Sequence, residues 1–300
     1  MLSTLTALAT SAGLCWLFFW LARKRRIELG QYRQRIFIRE MLAASPHHKD
    51  QRIIVSLSTL PDRIANVRST LECLLNQTRP PDEIVVVIPE FSLRQRRRYE
   101  IPEFLAHIPR VQILRVEKDW GPATKFIPVI QMELAAGRME TCIMVVDDDR
   151  IYPPDAVECY LHYSAELPDG ALCFRGAKMP RNFDWRTARM LHGSHCRLPQ
   201  RVAVITGCGS YLVKPRFFDE SLWDYSAAPR AAFYMDDIWI SGCLDRRGVH
   251  KYIVPSSRQL LSVKEQSRTM TLHDVPNGRQ ASNNEVIAFF RDTGKVFFSH

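Results

Sequence analysis

The sequence lacks several patterns that would assign it to a familiar class at once. Its eight cysteines include no Cys-x-x-Cys pair and no Cys/His cluster at the spacing of a zinc site. Cysteines scattered in this way are expected to be buried free thiols of a reducing compartment. The 300 residues are 46% hydrophobic and 24% charged, an ordinary globular composition with room for one large α/β domain or two small ones.

Most of the chain also lacks an excess of basic residues, although its formal net charge is +9. Between residues 23 and 49, eight basic side chains stand against two acidic ones and account for +6 of that charge. The remainder is only mildly basic, so the charge predicts no nucleic-acid partner.

Long apolar runs are absent except at residues 5–22 (LTALATSAGLCWLFFWLA), which end at the basic residues 23–26. A cleaved signal peptide carries its positive charge before the apolar run, whereas here the charge follows it. We therefore predict a transmembrane signal anchor with a basic flank at residues 1–26, with a buried or interfacial helix as the alternative. The positive-inside rule makes this a single-pass membrane protein with the rest of the chain in the cytoplasm; a Golgi-type orientation would reverse it.

Residues 27–50 are predicted to form a basic juxtamembrane helix and linker that rests on anionic membrane lipids. The polar residues 45–50 interrupt the helical pattern, and we place the domain boundary there.

The next segments predict a strand, a helix and a second strand at residues 52–60, 64–76 and 83–89. Short links between them indicate a βαβ unit with parallel strands and a right-handed crossover. The Arg-rich residues 91–99 are interpreted as a solvated loop or helix face, and a third strand is predicted at 111–116.

Three consecutive carboxylates, Asp147, Asp148 and Asp149, follow a predicted buried strand at residues 142–146. Carboxylates at a strand's carboxyl end lie where open α/β sheets bind ligands. Because adjacent acids repel one another, a bound Mg²⁺ or Mn²⁺ would stabilise them. The alternative is a solvated acidic turn.

Two further segments could contact a ligand. Gly121 and Pro122 precede a predicted helix with Thr124 and Lys125, which could direct backbone amides and an ammonium group at a phosphate; an ordinary turn with a surface lysine is the alternative. Residues 177–200 show no clear period and carry Trp185, His192 and His195, as functional or mobile loops often do.

The second half of the chain continues with a strand predicted at residues 171–176 and a strand-like run at 202–213 that contains Gly207 and Gly209. Glycines there suggest a bulge or a close approach of backbone to ligand. Asp236 and Asp237 open an apolar helix, where helix N-capping is the alternative function of either acid. A last helix is predicted near 283–291.

In this order the motifs resemble those of GT-A fold glycosyltransferases of the large family-two type, over about residues 50–275. The resemblance implies an α/β fold with a Rossmann-like, mixed, mostly parallel sheet flanked by helices, and the predicted transmembrane helix lies outside it. Residues 51–300 would form one catalytic domain, with a donor-binding half at about 51–155 and an acceptor or catalytic half at about 156–300.

The resemblance also implies roles for individual residues. The acidic triad matches the Asp-x-Asp motif, with Asp149 the first metal ligand and Asp147 nearer the nucleoside. The family's Glu-Asp pair matches Asp236 and Asp237, which makes Asp237 the catalytic base and Asp236 a cap or acceptor contact; this sequence departs by having Asp at 236. The implied metal ligands are Asp149, Asp147 and His273, and the implied donor contacts are Ser58, Thr59, Lys125, Asp147, Asp148, Gly207 and Gly209.

The implied activity is metal-dependent, inverting transfer of a sugar from a nucleotide sugar, with a UDP-sugar expected, to a glycan or lipid-linked acceptor. Mn²⁺ or Mg²⁺ would be the cofactor. A haloacid-dehalogenase-like phosphatase would have Thr or Val at the position of Ile151, and a nucleotidyltransferase would have a glycine-rich basic loop in place of residues 58–63. A nucleotidyltransferase and a catalytically inactive, membrane-tethered nucleotide-sugar binding protein remain the alternatives.

Overall fold

The structure is a computed structural model that describes residues 2–44, 50–263 and 278–293, with side chains from residue 16 onward except at residue 279. Its α-helices are α1 (Leu2–Ala43), α2 (Arg68–Leu75), α3 (Ile127–Ala135), α4 (Ala156–Glu166), α5 (Asp236–Arg246) and α6 (Arg279–Asp292). Its strands are β1 (Ile53–Ser58), β2 (Glu83–Pro89), β3 (Phe91–Ser92), β4 (Arg97–Arg98), β5 (Val111–Val116), β6 (Cys142–Val145), β7 (Arg150–Ile151), β8 (Gly170–Cys173), β9 (Arg175–Lys178), β10 (Arg189–His192), β11 (Gln200–Arg201), β12 (Val204–Ile205), β13 (Tyr211–Val213), β14 (His250–Ile253) and β15 (Leu261–Ser262).

A central sheet of eight strands runs in the order β11-β14-β8-β13-β6-β1-β2-β5. The pairs β1–β2, β1–β6, β2–β5 and β8–β14 are parallel, whereas β13 is antiparallel to both of its neighbours. The sheet is therefore mixed and mostly parallel, as predicted, and the βαβ unit of β1, α2 and β2 is confirmed.

The strand order reverses beside β1. The chain first extends the sheet on one side through β2 and β5, and then returns to place β6 on the other side of β1. Because β1 and β6 are parallel, their carboxyl ends meet at one edge of the sheet. Such a reversal opens a crevice at that edge, which is where open α/β sheets bind ligands.

Both faces of the central strands are buried, which explains their continuous apolar sequences. Successive side chains of a strand point to opposite faces. Ile54 accordingly packs in the core on the side of α3, α5 and α6, whereas Ile53 and Val55 pack in the core on the side of α1, α2 and α4.

The N-terminal helix α1 is continuous from Leu2 to Ala43 and docks on the domain by its second half. Ile38 is fully buried there, and the buried Gln34 donates hydrogen bonds to the carbonyls of Cys196 (2.9 Å) and Ser256 (3.1 Å). At the other end of the described side chains, the apolar residues 16–21 are exposed.

Among the residues with described side chains, none of the helices has the length and apolar character needed to cross a membrane. The anchor predicted at residues 5–22 is therefore not confirmed, and the side chains of residues 5–15 lie outside the described set.

Several predicted elements differ from the structure. The segment predicted as one strand at 171–176 forms β8 and β9, and the run at 202–213 is divided into β12 and β13 by a 3₁₀ turn at Gly207–Gly209. Part of the unpatterned segment 177–200 is a strand, β10, which pairs with β9. Strands β9, β10 and β12 form a separate three-stranded sheet, whereas β8 and β13 belong to the central sheet, so the ends of these strands are set by tertiary pairing.

Two further predictions were wrong in detail. Residues 91–99 are neither a plain loop nor a helix face, because β3 and β4 pair as a small antiparallel hairpin. The helix expected from residue 64 begins with a 3₁₀ turn at Ile64–Asn66, and α2 starts only at Arg68.

Candidate active site

The three acids after β6 point in different directions. Asp148 is buried, and each of its carboxylate oxygens is engaged: Thr59 Oγ1 donates to one at 2.6 Å and Arg63 pairs with the other. Burial raises the pKa of Asp148 to about 6, although Arg63 and Thr59 favour its ionised form. Asp148 and Thr59, both predicted donor contacts, thus bind each other and connect β6 to the end of β1.

Asp149 has a buried carboxylate oxygen without a hydrogen bond among the described residues. Its Oδ2 lies 3.1 Å from Arg63 Nη2, whereas its buried Oδ1 accepts no hydrogen bond and lies 3.4 Å from Arg150 Nε. A buried carboxylate oxygen of this kind costs free energy unless a cation or donor satisfies it.

The donor set around Asp149 fits a divalent cation that the substrate helps to hold. Within the described residues, no group of three or more His, Cys, Asp or Glu side chains could hold a metal ion by itself. Mg²⁺ is commonly bound by one or two carboxylates together with substrate phosphates, and Asp149 matches that arrangement. His273, the predicted third ligand, lies outside the described residues.

Lys125 joins the two acidic motifs. It ends a 3₁₀ turn at Gly121–Lys125, is only 7% exposed, and places Nζ 2.9 Å from Asp147 Oδ1 and 3.1 Å from Asp236 Oδ2. Burial lowers the pKa of Lys125, but Asp147 and Asp236 outweigh this effect and hold the pKa well above its usual value. The surface-lysine interpretation is therefore wrong, and Lys125 is a permanent cation between two carboxylates.

Asp237 is placed differently from its neighbour at the start of α5. Its Oδ1 accepts a hydrogen bond of 2.7 Å from the backbone N–H of Gly207, and Met235 is the residue at the helix N-cap. Burial, followed by the charge of Asp236, raises the pKa of Asp237 to about 7. A carboxylate with this pKa can accept a proton near neutral pH, which helix capping does not require.

The two glycines allow close approaches that a side chain would prevent. A Cβ atom at Gly207 would lie 2.6 Å from Lys125 Nζ and 3.2 Å from Asp237 Oδ1. One at Gly209 would lie 2.2 Å from the Cβ of Arg175. The absence of a side chain at Gly209 therefore makes room for Arg175. The close approach of backbone to a ligand stays a prediction; among the described residues, the neighbours of these two glycines are Lys125, Asp237 and Arg175.

Two cavities meet at this site. The first, of about 290 Å³, lies at the carboxyl ends of β1 and β6. Its walls include Asp237 and seven other predicted site residues. Those seven are Ser58, Thr59, Lys125, Asp147, Asp148, Asp149 and Asp236. The second, of about 1200 Å³, is lined by residues of the 177–200 segment, among them Trp185 and His192.

Asp237, Cys208 and Arg150 line both cavities, so the carboxylate of Asp237 lies at their junction. After the roles that the sequence predicts, we call the smaller one the donor cavity and the larger one the acceptor cavity.

Several residues that line the site were not predicted from the sequence. Arg63, which binds two acids of the triad, belongs to a turn, and Arg94 and Tyr99 line the donor cavity from the segment expected to be solvated. Asp119 also lines this cavity and accepts a hydrogen bond from the Leu93 amide at 2.7 Å. The position of Arg63 soon after the first strand could have suggested it, because the carboxyl ends of β1 and β6 share one edge of the sheet.

A crevice at a strand-order reversal, lined by acids and joined to a second cavity by a titratable carboxylate, defines an enzyme of nucleotide-binding α/β type. The sequence model of Glycosyl transferase family 2 matches residues 62–222, which is more than half of the chain. The chain belongs to that family and is a glycosyltransferase that uses nucleotide sugars.

No curated protein matches the chain. A solved structure described as the "Crystal structure of 4-diphosphocytidyl-2C-methyl-D-erythritol synthase" is similar with a TM-score of 0.45 and 11% sequence identity, over 72% of this chain and 94% of that one. A similarity this weak bears on neither mechanism nor substrate.

Proposed function

We propose that the chain catalyses metal-dependent, inverting transfer of a sugar from a nucleotide-diphosphate sugar, a UDP-sugar, to an acceptor hydroxyl. The observation that supports this most directly is the location of Asp237 at the junction of the donor and acceptor cavities. An inverting transferase needs a base on the acceptor side of the sugar, opposite the leaving group.

Asp237 would act as that base. Its raised pKa means that it binds a proton readily near neutral pH, and the Gly207 amide fixes one of its oxygens. As the acceptor hydroxyl attacks the anomeric carbon, Asp237 takes the hydroxyl proton and the bond to the nucleoside diphosphate breaks.

The donor would lie in the smaller cavity, with Ser58 at the end of β1 and Asp147 among its contacts. Asp149 would hold Mn²⁺ or Mg²⁺, whose charge offsets the negative charge that develops on the departing diphosphate. Asp147 would also be available to this ion, as would His273 in the region beyond the described residues. Lys125 would hold Asp147 and Asp236 in place beneath the sugar.

Within this proposal, residues 51–155 bind the donor and residues 156–300 supply the acceptor side; Asp236, which lines the smaller cavity and pairs with Lys125, would not contact the acceptor itself. The acceptor would be a glycan or a lipid-linked sugar, because we propose that residues 1–26 anchor the chain in a membrane with the domain in the cytoplasm. Exposed apolar side chains at residues 16–21, followed by basic residues at 23–26, support this placement.

Two substitutions separate donor binding from chemistry. We expect Asp149→Asn to abolish the Mn²⁺-dependent part of UDP binding in isothermal titration, and Asp237→Asn to bind UDP and Mn²⁺ as the wild type does but to lose transfer by about 10²-fold or more. NMR of the glycoside product would show inversion. Wild-type protein that binds neither UDP nor GDP with Mn²⁺, or Asp237→Asn protein that still transfers at the wild-type rate, would refute the proposal.

A further inference from the structure

The acceptor cavity is strongly basic in its described walls. Among the described residues, four arginines line it, Arg150, Arg175, Arg186 and Arg258, whereas the one lining carboxylate is Asp237. Arg186 is paired with Asp184 at 2.6 Å and Arg150 lies 3.4 Å from Asp149, so these two charges are partly neutralised.

Arg175 and Arg258 differ from the other two because neither forms an ion pair with an acid in the described part of the chain. Arg175 Nη1 contacts Cys208 Sγ at 2.7 Å and Thr206 Oγ1 at 3.3 Å, which are neutral partners. The Nε of Arg258 is buried and has no hydrogen-bond partner among the described residues.

A second unsatisfied donor lies in the same wall. Ser194 Oγ is buried without a hydrogen-bond partner in the described residues, and Ser194 lines the cavity together with Arg258. Buried donors without acceptors are costly, and two of them in one cavity indicate that a ligand supplies the acceptor atoms.

Positive charge also affects the one histidine of this wall. Burial lowers the pKa of His192, and the charge of Arg175 lowers it further. A guanidinium group presents parallel N–H donors that match the oxygens of phosphate and carboxylate groups. A neutral sugar would leave these charges without partners.

We propose that the acceptor is anionic, with a phosphate or carboxylate group bound by Arg175 and Arg258 and by the hydroxyl of Ser194. This inference rests on the proposed function, because it assigns the larger cavity to the acceptor. It defines a substrate class for the enzyme: sugars or sugar carriers that bear an oxyanion near the hydroxyl that is glycosylated.

Binding of matched small probes to the full-length protein tests the proposal. With UDP and Mg²⁺ present, isothermal titration compares glucose 6-phosphate and glucuronate with neutral glucose. We expect at least one anionic probe to bind more tightly than glucose, and Arg175→Gln and Arg258→Gln each to weaken that binding by about tenfold. The probe that binds better distinguishes a phosphate from a carboxylate.

The matched control is Arg247→Gln, which removes one positive charge from an exposed ion pair with Asp219 and should leave anion binding unchanged. UDP affinity, measured on every variant, reports whether the donor site is intact.

Three results would overturn the proposal: glucose binding as tightly as both anions, an Arg175→Gln/Arg258→Gln double variant with wild-type affinity, or anions that compete with UDP. The last result would assign the arginines to the donor. A wild-type protein that binds neither UDP nor GDP with Mn²⁺ would refute the proposed function itself, whereas UDP binding without preference for an anion would refute only this inference.

Discussion

At the scale of single residues, the site depends on how five aspartates are distinguished by their partners. Asp148 is engaged by Thr59 and Arg63, and Lys125 holds Asp147 together with Asp236. Asp149 keeps a buried oxygen without a hydrogen bond among the described residues, and burial raises the pKa of Asp237 to about 7. These differences follow from the neighbouring groups, since all five side chains are chemically the same.

The pH dependence of the reaction should report Asp237. Because burial raises its pKa to about 7, the base is protonated in acid, and kcat/KM should rise with pH to a plateau above about 7. A pH profile of the wild-type enzyme measures this, and a flat profile between pH 6 and pH 8 would contradict the assignment.

The same raised pKa predicts a stability difference. In the unfolded chain Asp237 ionises near pH 4, whereas in the folded protein it keeps its proton up to about pH 7. The folded state therefore binds more protons in this window, and its stability falls as pH rises. Relative to Asp237→Asn, the wild type should lose stability from about pH 4 to about pH 7 in denaturant titrations.

Lys125→Met tests the cation between the acidic motifs. Without Lys125, the carboxylates of Asp147 and Asp236 repel one another, and we expect a loss of about 3 kcal/mol or more in the free energy of unfolding at pH 8. Burial raises the pKa of Asp147 and the charge of Lys125 lowers it, so without Lys125 this acid binds a proton more readily and the loss should be smaller at pH 5. The exposed Lys178→Met is the matched control, and equal losses at both pH values would argue against the ion-pair role.

At the scale of elements, the chain order of strands and acids determines where the site forms. The buried strand β2, the partly exposed edge strand β5 and the helix opened by Asp236 were predictable, because apolar residues in a short run and acids at an element's start are local patterns. Lys125 and Arg63 were not recognised as ion-pair partners, since their partners lie 22 and 85 residues away. The division of β12 from β13 depends on packing against Arg175, which no window of sequence records.

Helix α1 should support the acceptor cavity through Gln34. Its amide donates to carbonyls of Cys196 and Ser256, and Ser256 lines the cavity, so Gln34→Leu leaves buried acceptors unsatisfied and should cost about 1–3 kcal/mol. Thermal unfolding and the KM for acceptor measure this. Gln31→Leu, at an exposed position on the same helix, should change neither the thermal unfolding nor the KM for acceptor. If Gln34→Leu and Gln31→Leu behave alike, α1 does not support the cavity.

At the scale of the whole molecule, the site consists of two cavities that share the lining residues Arg150, Cys208 and Asp237. Cys208 belongs to both, so a larger side chain there should separate them. We expect Cys208→Phe to retain binding of UDP with Mn²⁺ and to lose transfer by about tenfold or more, because the acceptor hydroxyl can no longer approach the sugar.

Cys208→Ala keeps the passage open and serves as its control, with transfer near that of the wild type. If Cys208→Phe transfers as well as Cys208→Ala, the two cavities do not communicate past this residue.

The unbroken course of α1 has a geometric consequence. From the end of the apolar segment at Ala22 to the docked Gln34 the helix advances about 18 Å along its axis. If residues 5–22 lie in a bilayer, the wall of the acceptor cavity at Ser256 can stand no farther than about that height above the membrane surface. The enzyme would then act on acceptor groups that lie close to the lipid head groups. Lengthening α1 by whole turns would move the site farther from the membrane surface and from those groups.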